Sequence, residues 1–282
     1  MRTVSFFKSY KKTQQFSGQT GQSDFAGLVP SSSEKPGRVS LVGAGPGDPE
    51  LLTLKALRAI HEADIVFYDA LVGDGIMSLI PEDVETVNVG KRKAKHTVPQ
   101  ADIISRLAMA ALAGKRVVRL KGGDPFIFGR GGEELEGLVQ QNIPVDVVPG
   151  ISSALGCAAN AGIPLTHRDL AQSVTFLTGH ARDDSQPDWS LYASGRQTLV
   201  VFMGVGTAAI TAEGLIRAGR AATTPVAVVE NGTLETERVI HSSLESLESD
   251  ISRSSISGPA LLIIGEVAAA RQMLPVLLEN VA

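Results

Sequence analysis

The sequence contains few of the residues that mark disulfide-rich, metal-binding or membrane proteins. Its single cysteine, Cys157, excludes an internal disulfide bond and fits a reducing compartment. Its five histidines are scattered without the spacing of a metal site, so we predict that no metal is bound. No apolar run approaches the roughly 20 residues that a membrane-spanning helix needs. We therefore expect a soluble, cytoplasmic protein without a membrane partner.

The sequence also lacks a strong excess of either charge, with a formal net charge of −4 at pH 7. The charges are unevenly placed, because ten Lys or Arg stand against two acids between Lys91 and Arg130. Domains that bind nucleic acid are usually strongly basic, so we predict no nucleic-acid partner. A single cationic segment instead suits a polyanionic small molecule. For Arg106 and Lys115 we favour an ordinary solvated position.

The first 36 residues lack any helical or strand periodicity. Ser, Thr, Gly and Gln occupy seventeen of these positions. Such a composition cannot bury enough apolar surface to offset the entropy of ordering, so we predict a disordered tail over residues 1–36. A transit peptide is the alternative, because four cations (Arg2, Lys8, Lys11 and Lys12) precede the first acid.

A glycine-rich stretch over residues 121–134 is the most informative part of the sequence. Its fourteen residues include five glycines, and it follows an apolar run at 117–120. Because glycine has no Cβ, a ligand can approach the backbone closely and φ can be positive. A turn between a strand and a helix needs only about two to six residues. We therefore interpret the longer stretch as a binding site at the carboxyl end of a strand.

A second glycine motif, Gly43-Ala44-Gly45-Pro46-Gly47-Asp48, follows the first strand-like run. It nearly matches the dinucleotide-binding fingerprint, but Asp48 stands where that fingerprint has its last glycine. Pro46 lacks the backbone N–H that a pyrophosphate would use, and the carboxylate of Asp48 would repel phosphates. The motif therefore favours a cationic, phosphate-free adenosine compound, and S-adenosylmethionine fits that description.

From residue 38 onward, runs typical of strands alternate with stretches typical of helices, as in β-α units on a largely parallel sheet. The predicted strands are 39–42, 65–68, 84–89, 117–120 and 145–148, and then 174–177, 199–203, 226–230, 238–241 and 261–264. The predicted helices are 49–61, 74–79, 99–113, 131–140, 152–161, 207–218, 244–251 and 267–278. Asn231-Gly232 is typical of a hairpin turn, so the second series should include antiparallel strands.

This pattern predicts an α/β protein of two α/β domains, residues 37–149 and 150–282. We expect a mainly parallel sheet in the first domain and a mixed sheet in the second. A cleft between two domains is the default place for a ligand, so we expect the active site there.

Together these motifs resemble the tetrapyrrole (class III) methyltransferases, and most closely their uroporphyrinogen-III C-methyltransferase branch. The resemblance runs from residue 38 to the C-terminus. It rests on both glycine-rich motifs and on residues 66–69, 89–92, 149–153, 164–168, 203–204 and 229–233. The first glycine motif is common to a superfamily that also methylates rRNA and a diphthamide precursor, whereas the long second motif with residues 166–168 is specific to this branch. Because 36 residues cannot encode the dehydrogenase-ferrochelatase half of some relatives, we expect a stand-alone methyltransferase.

The resemblance implies the tetrapyrrole methylase fold and transfer of two methyl groups from S-adenosylmethionine to C2 and C7 of uroporphyrinogen III. The products would be precorrin-1 and then precorrin-2, with S-adenosylhomocysteine released each time. Since a sulfonium is a good leaving group, positioning should dominate catalysis and can supply about 7–11 kcal/mol. A bridging carbon must afterwards lose a proton, which requires a general base.

By the family's pattern, nine residues line the cofactor site: Pro46, Gly122, Gly123, Asp124, Ile127, Ser152, Ser153, Met203 and Gly232. The two glycines of the second motif would allow backbone contact, and Asp124 would hold the amino-acid end of the cofactor. Met203 would offer adenine a soft apolar wall, although a methionine considered alone is better explained as a core residue.

Two residues match positions proposed in the family for proton transfer, Asp69 as acceptor and Lys91 as donor. Considered without the resemblance, Asp69 also fits the N-cap of a helix. Lys91 also fits a contact with a substrate carboxylate, of which uroporphyrinogen has several.

Three further residues match substrate-facing positions of the family: Arg130, Glu133 and Arg168. The two arginines would bind acetate or propionate arms of the tetrapyrrole, and Glu133 would be a rival general base. We expect the neighbouring Glu134 to be structural.

Two other functions stay open at this point. One is an enzyme of the same superfamily that acts on a later corrin precursor or on RNA. The other is a non-catalytic regulator that binds S-adenosylmethionine, although a sensor would not need the substrate-facing cations. Family members are homodimers, and we expect the same here. Use of precorrin-2 for sirohaem, cobalamin or haem d1 depends on partner enzymes.

Overall fold

The computed structural model describes residues 37–90, 99–180 and 185–270. These residues belong to one compact unit. The predicted tail over residues 1–36, Lys91 and most of the predicted helix 267–278 lie outside the described residues. Within the described ranges, no helix has both the length and the apolar character needed to cross a membrane.

The first half of the chain forms a five-stranded sheet in which all strands are parallel. Its strands are β1 (Arg38–Gly43), β2 (Ile65–Tyr68), β3 (Glu85–Asn88), β4 (Arg116–Lys121) and β5 (Val145–Val148). Their order across the sheet is β3-β2-β4-β1-β5. The prediction of a mainly parallel first sheet is confirmed.

Four helices cover this sheet: α1 (Leu54–His61), α2 (Asp74–Met77), α3 (Gln100–Leu112) and α4 (Gly131–Val139). Both faces of the central strands β1, β2 and β4 are buried, as expected for a parallel sheet, whereas the edge strand β3 is largely exposed. On one face Leu107 of α3 and Leu138 of α4 pack against alternate strand residues. On the other face Ile60 of α1 and Ile76 of α2 do the same.

The predicted helix 49–61 is wrong as a single element. The structure has a short 3-10 helix, Pro49–Leu51, followed by extended backbone at Leu52. Helix α1 begins only after Thr53, because the Thr53 hydroxyl accepts a hydrogen bond from the backbone N–H of Ala56 at 3.1 Å. Threonine is a favourable N-cap residue, so this start was readable from the sequence.

The second half begins with α5 (Ser153–Asn160) and continues into a five-stranded sheet. Its strands are β6 (Ser173–Thr178), β7 (Gln197–Phe202), β8 (Pro225–Glu230), β9 (Arg238–Ser243) and β10 (Ala260–Ile264), in the order β6-β7-β10-β8-β9. Strands β6 and β7 are parallel, and the other pairs are antiparallel. The predicted mixed sheet is confirmed.

Helix α5 packs on one face of this sheet. The other face is covered by α6 (Ala208–Arg217) and α7 (Leu247–Ser254), together with a short 3-10 helix, Trp189–Tyr192, that the sequence pattern does not predict. Helix α7 starts three residues later than residue 244, the predicted start. The chain passes from the first sheet to α5 through residues 149–152. The domain boundary that we place at residue 149 stays a prediction.

Candidate functional site

Three neighbouring strands of the first sheet end at the same edge. Because β4, β1 and β5 are parallel and adjacent, the loops that follow them leave the sheet side by side. Gly45 donates its N–H to the carbonyl of Gly123 at 3.2 Å, and Gly123 donates to the carbonyl of Gly45 at 2.7 Å. A Cβ on Gly150 would lie only 2.3 Å from the carbonyl oxygen of Gly123. The two glycine motifs therefore meet backbone to backbone.

The N-terminal half of α5 lies against these loops. A Cβ on Gly123, which has a φ of 68°, would lie 3.6 Å from the backbone nitrogen of Ser153. The hydroxyl of Ser152 caps the helix. One turn further on, a Cβ on Gly156 would lie 2.5 Å from Cγ of Pro46. Two predicted cofactor residues of the first half, Pro46 and Gly123, thus lie against the start of the helix that two others, Ser152 and Ser153, begin.

The carboxylate of Asp124 fixes the second glycine loop. Its Oδ1 accepts the backbone N–H of Phe126 at 2.9 Å, and its Oδ2 accepts that of Gly150 at 3.1 Å. The carboxylate therefore joins the loop after β4 to the loop after β5. Any contact of Asp124 with the amino-acid end of a ligand uses the lone pairs that remain.

The loop between β8 and β9 reaches the same helix. A Cβ on Gly232 would lie 2.3 Å from Sγ of Cys157, so only glycine fits there. The predicted hairpin is confirmed. The left-handed backbone lies at the two neighbours of Gly232, Asn231 with φ 51° and Thr233 with φ 69°, and not at Gly232 itself. Burial, and secondarily the charge of Glu237, raises the pKa of the Cys157 thiol to about 12.

Met203 follows β7 and closes the group of predicted cofactor residues. Its side chain is 51% exposed, which excludes the explanation that it is a core residue. Its φ is 54°, and its carbonyl oxygen lies 3.1 Å from Nδ1 of His180. The preceding Phe202 contacts Phe128 of the second glycine loop, with ring centroids 4.9 Å apart.

Gly122 and Ile127 complete the nine. A Cβ on Gly122 would lie 2.7 Å from Cβ of Leu71, and Ile127 packs against the core between α5 and the second sheet. All nine residues thus lie in the loops around α5, at the start of that helix or at the end of β7. Their binding of a cofactor stays a prediction.

Asp69 follows β2 at the same edge of the sheet. Its Oδ1 accepts the backbone N–H of Leu71 at 3.1 Å, and its Oδ2 lies 3.6 Å from Nη2 of Arg119. Helix α2 starts at Asp74 with Gly73 as its N-cap, so the N-cap explanation of Asp69 is wrong. The carboxylate is 23% exposed, so a ligand can reach it.

A buried charged cluster lies beneath Asp69, formed by Arg119, Lys121 and Glu134. Glu134 is fully buried, and its Oε1 lies 3.1 Å from both Nε of Arg119 and Nζ of Lys121. Gln100 donates to the same oxygen at 2.9 Å. Burial, and next the charge of Arg119, lowers the pKa of Lys121. The expected structural role of Glu134 agrees with this position.

The two cations of this cluster were not among the predicted site residues. Arg119 and Lys121 alternate along β4 and therefore share one face of the strand. The signal in the sequence was a pair of charges at alternate positions inside an apolar strand, which require buried partners of opposite charge. Arg119 links the cluster to the predicted proton acceptor.

Arg130 and Glu133 bind each other. Nε and Nη2 of Arg130 contact the two carboxylate oxygens of Glu133 at 2.9 and 2.7 Å, and this bond raises the pKa of Arg130. Both side chains are about half exposed. Arg168 is exposed and forms no ion pair within the described part of the chain. Lys91 lies outside the described residues.

Other cations of the segment between residues 91 and 130 also have partners. Lys115 pairs with Glu85 at 2.8 Å, and Arg116 pairs with Asp64 at 2.7 Å. The Arg116 guanidinium lowers the pKa of Asp64 to about 2. Arg106 is exposed, in agreement with its expected solvated position. Among residues 37–90, 99–180 and 185–270, no group of three His, Cys, Asp or Glu could hold a metal ion.

Strained backbone is concentrated in this site. In the described ranges, seven residues other than glycine have a positive φ, and five of them lie in its loops. These five are Phe128, Arg130, Met203, Asn231 and Thr233. Such conformations persist only where the surrounding contacts hold them, and they cluster at ligand sites.

Comparison with known proteins identifies the family. The sequence profile of the family described as Tetrapyrrole (Corrin/Porphyrin) Methylases matches residues 38–248. Siroheme synthase 2 of Yersinia enterocolitica is 55% identical over 238 residues, which cover 84% of this chain and 50% of that protein. Siroheme synthase of Azotobacter vinelandii is 52% identical over 254 residues, which cover 90% of this chain and 54% of that protein. The chain thus spans about half the length of these relatives.

Among solved structures, a uroporphyrin-III C-methyl transferase from Thermus thermophilus, complexed with S-adenyl homocysteine, is similar throughout. It superposes with a TM-score of 0.71 at 43% sequence identity. The match covers 83% of this chain and 94% of that one. The two-sheet α/β architecture is therefore shared with a methyltransferase of nearly the same extent.

Proposed function

Since the chain belongs to the tetrapyrrole (corrin/porphyrin) methylases, we propose that it methylates uroporphyrinogen III at C2 and C7 with S-adenosylmethionine. Precorrin-1 is then the intermediate and precorrin-2 the product. One observation carries the proposal: the backbone pairing of Gly45 with Gly123 brings both glycine motifs to the first turns of α5. The similarity to the Thermus enzyme supports the same assignment.

The loops suit a phosphate-free adenosine compound. In the first motif, Oδ1 of Asp48 accepts the backbone N–H of Glu50 at 2.8 Å. The N-terminus of the short helix after this motif therefore already has an anionic partner, and it is not left open for a phosphate. Gly43 and Gly150 approach each other and the carbonyl of Gly123 so closely that neither has room for a side chain, which holds the loops after three strands together. When bound, S-adenosylmethionine supplies an electrophilic methyl group on a positively charged sulfur.

The second glycine motif divides into two halves. Residues 122–127 lie beside the loops after β1 and β5 and beside α5, and we assign them to the cofactor. Arg130 and Glu133 stand at the start of α4, half exposed, and we assign them to the tetrapyrrole. Arg130 and Arg168 can each bind a substrate carboxylate through two parallel N–H groups. A loop that contacts both reactants has to be longer than a simple turn.

We assign to Asp69 the role of accepting the proton that the bridging carbon loses after methyl transfer. The N–H of Leu71 holds one of its oxygens and Arg119 lies beside the other, so its orientation is fixed before a ligand binds. Its exposure leaves the carboxylate accessible from the loop edge. Lys91 is the proton donor by the family's pattern. In the proposed reaction the new C–C bond forms as the S–CH3 bond breaks and S-adenosylhomocysteine leaves, and the bridging carbon then passes its proton to Asp69.

We propose a cytoplasmic homodimer as the working form. Leu54 of α1 is 81% exposed and Leu155 of α5 is 53% exposed. Large exposed apolar side chains mark interaction surfaces where they cluster. Sedimentation of the purified protein tests this point, since a monomer at micromolar concentration would contradict it.

A methyl-transfer assay tests the proposed function against its rivals. Labelled S-adenosylmethionine is offered with uroporphyrinogen III, with a later corrin precursor, and with RNA, in separate reactions. The proposal expects label in the first product and none in the others. Label in another product would assign a different substrate of the superfamily. Tight binding of S-adenosylhomocysteine without any turnover would indicate a regulator.

A further inference from the structure

The loop between β8 and β9, residues 231–237, contains an unusual backbone conformation. Thr233 has a φ of 69°. A β-branched residue at positive φ is rare because its side chain crowds the backbone. Glycine would adopt this conformation without strain, and a strained residue persists only where the surrounding contacts hold it.

Two hydrogen bonds hold Thr233 in place, and a third holds its partner Glu237. The N–H of Thr233 donates to Oε2 of Glu237 at 2.7 Å, and the Thr233 hydroxyl oxygen accepts the backbone N–H of Asp48 at 3.2 Å. The amide of Asn160, the last residue of α5, donates to the same Oε2 of Glu237 at 2.8 Å. We call these four residues, Asp48, Asn160, Thr233 and Glu237, the Thr233 clasp.

The clasp connects three separate parts of the candidate site. Asp48 ends the first glycine motif, Asn160 ends α5, and Thr233 follows Gly232 in the hairpin loop. The contact is tight, because a Cβ on Gly47 would lie 2.6 Å from Cδ2 of Leu234. The Asp48–Thr233 bond is the hydrogen bond of the clasp that joins the first glycine motif to the hairpin loop.

Two predicted cofactor residues lie directly beside the clasp. Pro46 is two residues before Asp48, and Gly232 immediately precedes Thr233. Pro46 contacts Gly156 and Gly232 contacts Cys157, one residue apart on α5. The clasp therefore sets the spacing between two backbone segments that line the cofactor site from opposite halves of the chain.

We propose that Thr233 is a positioning residue for S-adenosylmethionine. By accepting the Asp48 N–H, its hydroxyl holds the backbone of Gly232 at a fixed distance from Pro46, and the strain at Thr233 is the cost of that arrangement. This inference rests on the proposed function, because it concerns the same site.

Binding of S-adenosylhomocysteine, measured by calorimetry on the full chain, tests the proposal with three variants. Thr233→Val keeps the shape and removes the hydroxyl, so its dissociation constant should rise about five- to tenfold, the effect of one lost hydrogen bond. Thr233→Ser keeps the hydroxyl and should bind like the wild type. Thr233→Gly removes both the strain and the hydroxyl, so it should bind weakly while its melting temperature does not fall.

The matched control is Thr236→Val, the same chemical change at an exposed position of the same loop, which should leave binding unchanged. In turnover, Thr233→Val should raise KM for S-adenosylmethionine and leave KM for uroporphyrinogen III unchanged. Wild-type affinity in both Thr233→Val and Thr233→Gly would overturn the proposal. Loss of binding in Thr233→Ser equal to that in Thr233→Val would also overturn it. Failure of the wild type to bind S-adenosylhomocysteine would instead contradict the proposed function.

Discussion

Arg130 uses two nitrogens to bind both carboxylate oxygens of Glu133, at 2.9 and 2.7 Å. These two side chains, which we assign to the tetrapyrrole, therefore bind each other. Exposed ion pairs contribute only about 0–1 kcal/mol, so a substrate carboxylate can replace Glu133 at little cost.

Replacement of Arg130 by lysine should weaken binding of uroporphyrinogen III and leave binding of S-adenosylhomocysteine nearly intact. Lysine keeps the charge but cannot bind a carboxylate through two parallel N–H groups. We expect KM for the tetrapyrrole to rise about tenfold, the value of roughly one lost charged hydrogen bond. Steady-state kinetics and calorimetry measure the two affinities. An equal loss of both would contradict the division of the loop into two halves.

Replacement of Asp69 by asparagine should reduce kcat about 10²- to 10⁴-fold, the usual contribution of a general base. Affinity for S-adenosylhomocysteine should stay unchanged, because asparagine keeps the shape and the hydrogen bond from Leu71. The matched variant is Glu133→Gln, for which we expect a loss in kcat below about tenfold, since the amide removes only the rival base. The reverse order of these losses would assign the base to Glu133.

Adjacent glycines at the start of α4 should respond in opposite directions to alanine. A Cβ on Gly131 would lie 2.4 Å from the carbonyl oxygen of Pro125, whereas a Cβ on Gly132 meets no atom within 4 Å. Gly131→Ala should therefore cost about 1–3 kcal/mol of stability through overpacking. Gly132→Ala should stabilise the helix by up to about 1 kcal/mol. Chemical unfolding measures both changes in the free energy of unfolding. Equal changes would show that the backbone around Pro125 moves aside to accommodate the new Cβ.

The thiol of Cys157 should be unreactive in the folded protein, because burial raises its pKa to about 12 from the model-compound value of 9.0. A disulfide reagent at pH 8 should label it only after unfolding in urea. The raised pKa also makes stability depend on pH. The contribution of the neutral thiol is complete below about pH 9 and disappears as the pH rises toward 12. Rapid labelling of the folded protein would contradict this burial.

Strands β2 and β5 were predicted to the residue, because short apolar runs between turn signals identify buried parallel strands. Helix α3 also followed from local chemistry: Pro99 precedes it, and Gly114, with a φ of 82°, follows it. The order of the strands did not follow, because parallel neighbours are joined by long crossovers that leave no local signal. The break between the short 3-10 helix and α1 was not predicted, although Thr53 is a residue type that favours the N-cap of a helix.

The candidate site was predicted from motifs, and the features that depend on tertiary contact were not. Three such features are the pairing of Arg130 with Glu133, the burial of Arg119 and Lys121, and the left-handed backbone of Thr233. Each depends on contacts that form only when the chain folds. From the sequence, Arg119 and Lys121 are interpreted as part of a cationic segment that binds a polyanionic ligand. In the structure they are internal counterions of Glu134.

The most direct test of the central claim is a crystal structure with S-adenosylhomocysteine and uroporphyrinogen III bound together. It measures the distances from the Asp69 carboxylate to the bridging carbon and from the Arg130 guanidinium to the nearest substrate carboxylate. We predict about 2.6–3.2 Å from the guanidinium to the carboxylate, and about 3.3–3.6 Å from the Asp69 oxygen to the bridging carbon. The cofactor should lie against residues 122–127. A tetrapyrrole bound away from Arg130, or a cofactor bound away from these residues, would contradict the assignment of one loop to both reactants.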